Sequence, residues 1–110
     1  MLYQVYFYVP ETALEVVKQA MFNAGAGSVG DYQECAWQTL GQGQFKPLSS
    51  ATPTIGERGE LTRLVEYRVE MVCKKPLLKA ALAAMIQTHP YEEVAYGTYP
   101  ITTLDNLNFT

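Results

Sequence analysis

The densest group of chemically active side chains is His89-Pro90-Tyr91-Glu92-Glu93, which sets the only histidine, a phenol and two carboxylates side by side. An imidazole titrates near neutral pH and can give or take a proton. An imidazole with a carboxylate can also hold a divalent metal ion, so His89 and Glu92 are the candidate metal ligands. One histidine without a cysteine pair is a thin ligand set. A purely structural reading stands beside it: His89 caps a helix C-terminus, where positive charge is favoured, and Glu92 and Glu93 open a solvated strand.

The second candidate is Gly41-x-Gly43-x-Phe45. Glycines let backbone N–H groups approach an anion. The segment has neither the Gly-Lys-Ser/Thr of a P-loop nor the third glycine of a dinucleotide fingerprint, so a tight turn or bulge is the plainer expectation. Ser49 and Ser50 have no histidine or acid at nucleophile spacing. Glu66 and Glu70 share one face of a strand, either as paired carboxylates or as ion-pair partners of Arg63 and Arg68. Trp37 is read as core or interface.

These residues need elements to position them. Leu2 to Val9 is rich in β-branched and aromatic residues and reads as an inner strand. Thr12 with Glu15 has capping-box spacing, and Leu14, Val17, Met21 and Phe22 form one helical stripe. Gly25-Ala26-Gly27 ends that helix, and Gly30-Asp31-Tyr32 is a turn. Glu34 to Leu40 is the second strand, followed by a long connection from Gly41 to Glu60. Long connections are often functional. Arg63 to Lys74 alternates as a half-buried strand does. Pro76 suits the first turn of a second helix, whose stripe is Leu77, Ala80, Ala81, Leu82, Met85 and Ile86. Pro90 ends it near Thr88. Glu93 to Ile101 is the last strand, and Thr102 to Thr110 is left to form an edge strand or cross to a neighbour.

The order predicts an α+β fold: a ferredoxin-like βαββαβ sandwich, with an antiparallel four-stranded sheet and both helices on one face, in a single domain over 1–110. The connection from Gly41 to Glu60, the segment from His89 to Glu93 and the Pro10-Glu11 turn then meet at one end of the sheet. The other sheet face, carrying Tyr3, Tyr6, Tyr8, Tyr67 and Tyr99, is expected to be bare and to drive assembly as a dimer or trimer.

Composition bounds the partners. The chain is 48% hydrophobic and 17% charged, which is a globular composition. A net charge of −3, with basic residues clustered only at Lys74, Lys75 and Lys79, argues against nucleic acid. The longest uncharged apolar stretch, Ala80 to Ile86, is too short to cross a bilayer, so no membrane partner is expected. The N-terminus lacks the features of a signal peptide. The expected location is cytoplasmic, with Cys35 and Cys73 kept as thiols.

The motifs also form a familiar series. Gly25-Ala26-Gly27, Gly30-x-Tyr32-x-x-Cys35, Gly41-x-Gly43-x-Phe45-x-Pro47, Pro53-x-Ile55-Gly56, Glu66-x-x-x-Glu70 and His89-Pro90-Tyr91-Glu92-Glu93-x-Ala95-Tyr96 resemble the domain inserted in YqfO proteins, the NGG-interacting-factor-like family. The resemblance runs from about residue 2 to 101 and suggests a stand-alone version of that domain. The His-Pro-Tyr-Glu stretch is also similar to CutA, a trimeric cation-tolerance protein of PII-like fold. The resemblance implies a PII- or CutA-like domain that assembles, and that either senses a small molecule or gates a metal centre. That two-metal centre lies in the flanking domain of full-length relatives, so none of its ligands carries over. The sequence departs from the family pattern at Val94, where proline is expected, and at Gly97, where aspartate is expected, so one acidic group is missing after the His-Pro-Tyr-Glu-Glu segment.

The expectation is therefore a small binding or regulatory module, with a small-molecule or divalent-metal ligand at His89, Tyr91, Glu92, Glu93, Gly41, Gly43 and Phe45. No catalytic residue is assigned. A ligand-free assembly domain is the alternative, and a metal-dependent hydrolase using His89 as base is third.

Overall fold

A computed structural model describes residues 1–106. The elements run β1 (Leu2–Val9), α1 (Glu11–Asn23), β2 (Trp37–Phe45), β3 (Thr62–Lys74), α2 (Lys75–Thr88) and β4 (Tyr96–Ile101), followed by a short 3-10 turn at Leu104–Asn106. The sheet order is β2-β3-β1-β4, with every pairing antiparallel. This is the ferredoxin-like arrangement.

Alternation builds the core. Val5, Phe7 and Val9 turn to the helices, and their neighbours across the β1–β3 ladder include Met71 and Val69. Leu14, Val17 and Met21 of α1 and Ala81 and Met85 of α2 close the layer. Each large side chain fully buried here contributes about 1.5–3 kcal/mol. Among the described residues no helix is long and apolar enough to cross a membrane.

Several boundaries differ from expectation. Thr12 does not cap α1. Pro10 stands at the cap in an extended conformation and no side chain bonds there; the Ala13 N–H reaches the Pro10 carbonyl instead (3.1 Å). β2 begins at Trp37, not Glu34, and runs on through Gly41 and Gly43 to Phe45. Those glycines sit in the ladder opposite Glu66 and Leu64, so they make no turn, bulge or anion cradle. Residues 25–35 are tied down separately. The Gly27 N–H bonds the Val72 carbonyl (2.8 Å) and the Cys35 N–H bonds the Gly27 carbonyl (2.8 Å). Gly25 and Gly27 both have positive φ, a conformation that favours glycine.

β4 begins at Tyr96 rather than Glu93. The register also re-sorts the tyrosines. Tyr3 and Tyr67 pair opposite Cys73 and Val9 on the helix side, while Tyr6, Tyr8 and Tyr99 lie on the open face. Trp37 is on that face too and is 68% exposed, so it is not a core residue. The tail makes no edge strand through Asn106; its last residues, 107–110, lie outside the described residues.

β1 pairs with β3 only from Tyr67 to Lys74. Residues 62–66 of β3 therefore have β2 alone as a neighbour, and the hairpin projects beyond the sheet as a two-stranded ribbon. The molecule is correspondingly long, 53 × 28 × 23 Å.

Candidate functional site

The connection from the ribbon folds back onto the segment that follows α2. The Thr52 N–H donates to both carboxylate oxygens of Glu92 (3.1 and 3.0 Å). The Thr54 hydroxyl donates to the Pro90 carbonyl (2.7 Å). Within the connection, Arg58 Nε donates to the Ala51 carbonyl (2.5 Å) and the Gly59 N–H to the Pro47 carbonyl (2.7 Å).

His89 is the post on which this end stands. It is 7% exposed. Its Nε2 lies 2.7 Å from the Tyr8 carbonyl, which can only accept, so Nε2 carries the proton. Its Nδ1 accepts the Tyr91 N–H (3.1 Å). The ring is thus a neutral imidazole with both nitrogens engaged. Burial pulls its pKa below the ordinary value of 6.5, with the Tyr8 bond and the Glu66 charge opposing. These atoms do not fit a metal on His89, because the free lone pair a metal needs is already taken by the Tyr91 N–H. Among the described residues no three histidine, cysteine or acidic side chains are grouped to hold a metal.

Tyr91 stacks edge-on against His89, with ring centroids 4.7 Å apart. Its hydroxyl donates to Glu66 Oε2 (3.2 Å). Burial first, then the Glu66 charge and hydrogen bond, push the phenol well above the ordinary tyrosine range, so it stays a donor. Gly43 makes room for this pair. A Cβ there would collide with the Glu66 carboxylate.

Between the connection, the ribbon and the 89–95 segment lies a cleft of about 720 Å³. That is within the usual range for small-molecule sites, roughly 300–1,000 Å³. Phe45, Tyr91, Glu92 and Glu93 line it, as do Tyr8, Glu66 and Lys46, with Pro47, Leu48 and Ile55 among the apolar wall. Gly41, Gly43 and His89 do not line it. Glu66 and Tyr8 are the residues that sequence reasoning missed as site residues. Glu66 and Glu70, expected as paired carboxylates or as ion-pair partners of Arg63 and Arg68, separate: Glu70 faces Arg68 (3.7 Å), whereas Glu66 reaches Tyr91. The signal was Glu66's place near the ribbon end of β3.

The departure at Gly97 has a steric reason. Gly97 pairs with Tyr6, and a Cβ there would meet Tyr6 Cζ at 2.7 Å. The freed Tyr6 ring lies under the Arg68 guanidinium (4.3 Å to the centroid). Val94 packs against the core.

No family model matches the chain. Among curated proteins it is similar to the GTP cyclohydrolase 1 type 2 homolog of Bacillus subtilis, 52% identical over 94 residues, covering 86% of this chain and 25% of the relative. The protein of that name from Mycobacterium tuberculosis is 44% identical over 94 residues, covering 86% and 25%. Among solved structures, a Bacillus cereus protein related to NIF3 superposes with a TM-score of 0.80 at 36% identity, covering 93% of this chain and 26% of the other. The periplasmic divalent cation tolerance protein CutA from Archaeoglobus fulgidus gives 0.68 at 12% identity, covering 94% and 86%. The fold is thus of the PII/CutA-like class. Within that class the chain is similar over most of its length to one domain-sized part of NIF3/YqfO-type proteins. It spans about a quarter of the length of the curated relatives it matches.

Proposed function

We propose that this domain is a small-ligand binding module with a regulatory role, and that the cleft between the ribbon connection and residues 89–95 is its site. One observation carries this reading. The cleft is large enough for a small molecule, and five polar side chains from three segments, Tyr8, Glu66, Tyr91, Glu92 and Glu93, converge on it. A site on a connection held by few bonds can pass occupancy on to that connection, as regulation requires. Two free thiols, Cys35 and Cys73, suit a reducing, cytoplasmic setting. Burial raises the Cys73 pKa and keeps it protonated.

The test is thermal unfolding against a panel of metabolites, nucleotides and metal salts. A ligand at a hundred times its dissociation constant adds about 2.7 kcal/mol to the folded state. At least one compound is expected to raise Tm, and Tyr91→Phe with Glu66→Gln is expected to remove the rise. A panel with no shift, or a shift that survives both substitutions, would end the proposal.

A second reading rests on a separate observation, the open sheet face with Trp37 at 68% and Tyr99 at 44% exposure. Exposed aromatic patches of this kind mark association sites, and we propose a homo-oligomer, dimer or trimer, built on that face. Light scattering at micromolar concentration checks it. The mass of a single 12.3 kDa chain would rule it out.

A further inference from the structure

Resting on the reading of the cleft as a ligand site, we infer that the ligand it takes is an organic cation, an ammonium or guanidinium group on an apolar body. Charge is the first argument. Glu66, Glu92 and Glu93 all line the cleft. The ion pairs found among the described residues are Lys18 with Glu15 and Arg68 with Glu70; none reaches these three carboxylates. Lys46 lines the same cleft and is not paired with any of them. The site therefore keeps net negative charge, which repels a phosphate or carboxylate ligand and draws in a cation.

The walls are the second argument. Tyr8, Phe45 and Tyr91 bring three aromatic rings to the cleft beside Pro47, Leu48 and Ile55. Aromatic faces attract cations, by about 0.5–1 kcal/mol when exposed and more when desolvated. The adjoining sheet face shows the same preference internally, since Arg68 sits 4.3 Å from the Tyr6 ring centroid and 5.5 Å from that of Tyr8.

The third argument separates an organic cation from a metal ion. A divalent metal needs several oxygens within about 2.0–2.6 Å, hence carboxylates converging on one point. Here no three acidic, histidine or cysteine side chains are so grouped among the described residues, and Glu66 and Glu92 already accept hydrogen bonds from Tyr91 and Thr52. Carboxylates spread around an apolar volume of about 720 Å³ match a cation whose charge rides on a carbon skeleton.

The experiment is a titration of the full chain, followed by backbone amide NMR, with three probes of one shape and different charge: benzylammonium, benzyl alcohol and benzoate, with manganese(II) alone as a fourth. Benzylammonium is expected to shift the Tyr91, Ala95 and Ala51 amides and to bind about tenfold or more tightly than benzoate, a difference of about 1.4 kcal/mol. Glu66→Gln, which keeps an acceptor for Tyr91, and Glu93→Gln, a change at an exposed residue, are each expected to weaken it severalfold. Benzyl alcohol or benzoate binding there as well as benzylammonium would overturn the cation inference and leave the cleft as a ligand site. Manganese(II) binding there while benzylammonium does not would do the same in favour of a metal. No shift at the cleft with any probe would overturn both the inference and the site.

Discussion

The four-stranded body and the two-stranded ribbon are built from the same two strands by different means. From Tyr67 to Lys74, β3 lies between β2 or the chain's own connections on one side and β1 on the other, and Val69, Met71 and Cys73 are buried beneath the helices. From Thr62 to Glu66, β3 has only β2 beside it, and Val65 is 62% exposed. The body is held by apolar burial. The far end of the ribbon is held by polar contacts, Thr52 to Glu92, Thr54 to Pro90 and Tyr91 to Glu66. Those same contacts shape the cleft. Stability and the proposed binding site are thus placed in different regions, and elements of low local stability are the ones that can respond to a ligand.

The largest effect should come from the body. Phe7 is fully buried between Val69 and Tyr96 in the register. Phe7→Ala is expected to cost about 3–5 kcal/mol, read as a fall in the urea midpoint. A loss below about 1 kcal/mol would contradict the claim that burial under the helices holds the body.

His89 joins the two regions, and its replacement comes next. His89→Ala would leave the Tyr8 carbonyl and the Tyr91 N–H without their partner, an expected loss of about 2–4 kcal/mol. The pH dependence sharpens this. The folded ring has its pKa below 6.5, so below that pH the unfolded chain binds the proton first. Stability from this group is complete above 6.5 and falls on acidification from there toward the lowered folded value. In His89→Gln, which keeps a donor for Tyr8 and cannot titrate, the part of the decline that sets in below pH 6.5 should vanish. An unchanged pH profile would show that His89 is not the group responsible.

The fold was largely legible from apolar spacing. Val5, Phe7 and Val9, the stripe Leu14, Val17 and Met21, and the alternation through Val69 and Met71 specify element type and facing together, and they agree with one topology. That topology also puts the expected Gly41–Glu60 connection at the same end as His89 to Glu93, and its Thr52 and Thr54 do contact Glu92 and Pro90, although its first five residues belong to β2. The site was less legible because its geometry depends on where pairing stops. Gly41 and Gly43 look like turn residues by composition, yet cross-strand hydrogen bonds with β3 hold them extended. His89 looks like a ligand by type, yet burial and two hydrogen bonds make it a structural member. Glu66 reads as a paired carboxylate or half of an ion pair, yet its carboxylate occupies the space left by Gly43 and accepts from Tyr91.

A smaller effect is expected on the open face. Gly97→Asp, which would restore the acid of the family pattern, must displace the Tyr6 ring from its place across Gly97 and beneath Arg68. The side chain is partly exposed and can swing, so the expected cost is about 1 kcal/mol, the low end of the overpacking range, with a shift of the Tyr6 ring resonances in NMR. Unmoved Tyr6 resonances would show that Gly97 is not what admits the ring.

The smallest global effect should fall at the ribbon connection, and it bears most directly on the comparison. Glu92 is exposed, so removing its side chain exposes no core and should change the urea midpoint by no more than about 0.5 kcal/mol. Locally the loss is larger, because the Thr52 N–H forfeits a charged acceptor. In Glu92→Ala, hydrogen exchange at Thr52 is expected to quicken about tenfold, the factor that corresponds to about 1.4 kcal/mol, while the Val69 and Met71 amides keep their rates. If exchange quickened equally at Thr52 and Val69, the connection would be part of the body's cooperative unit, and a ligand in the cleft could not move one without the other. If exchange quickened only at Thr52, the connection would open on its own, as a ligand-responsive element must.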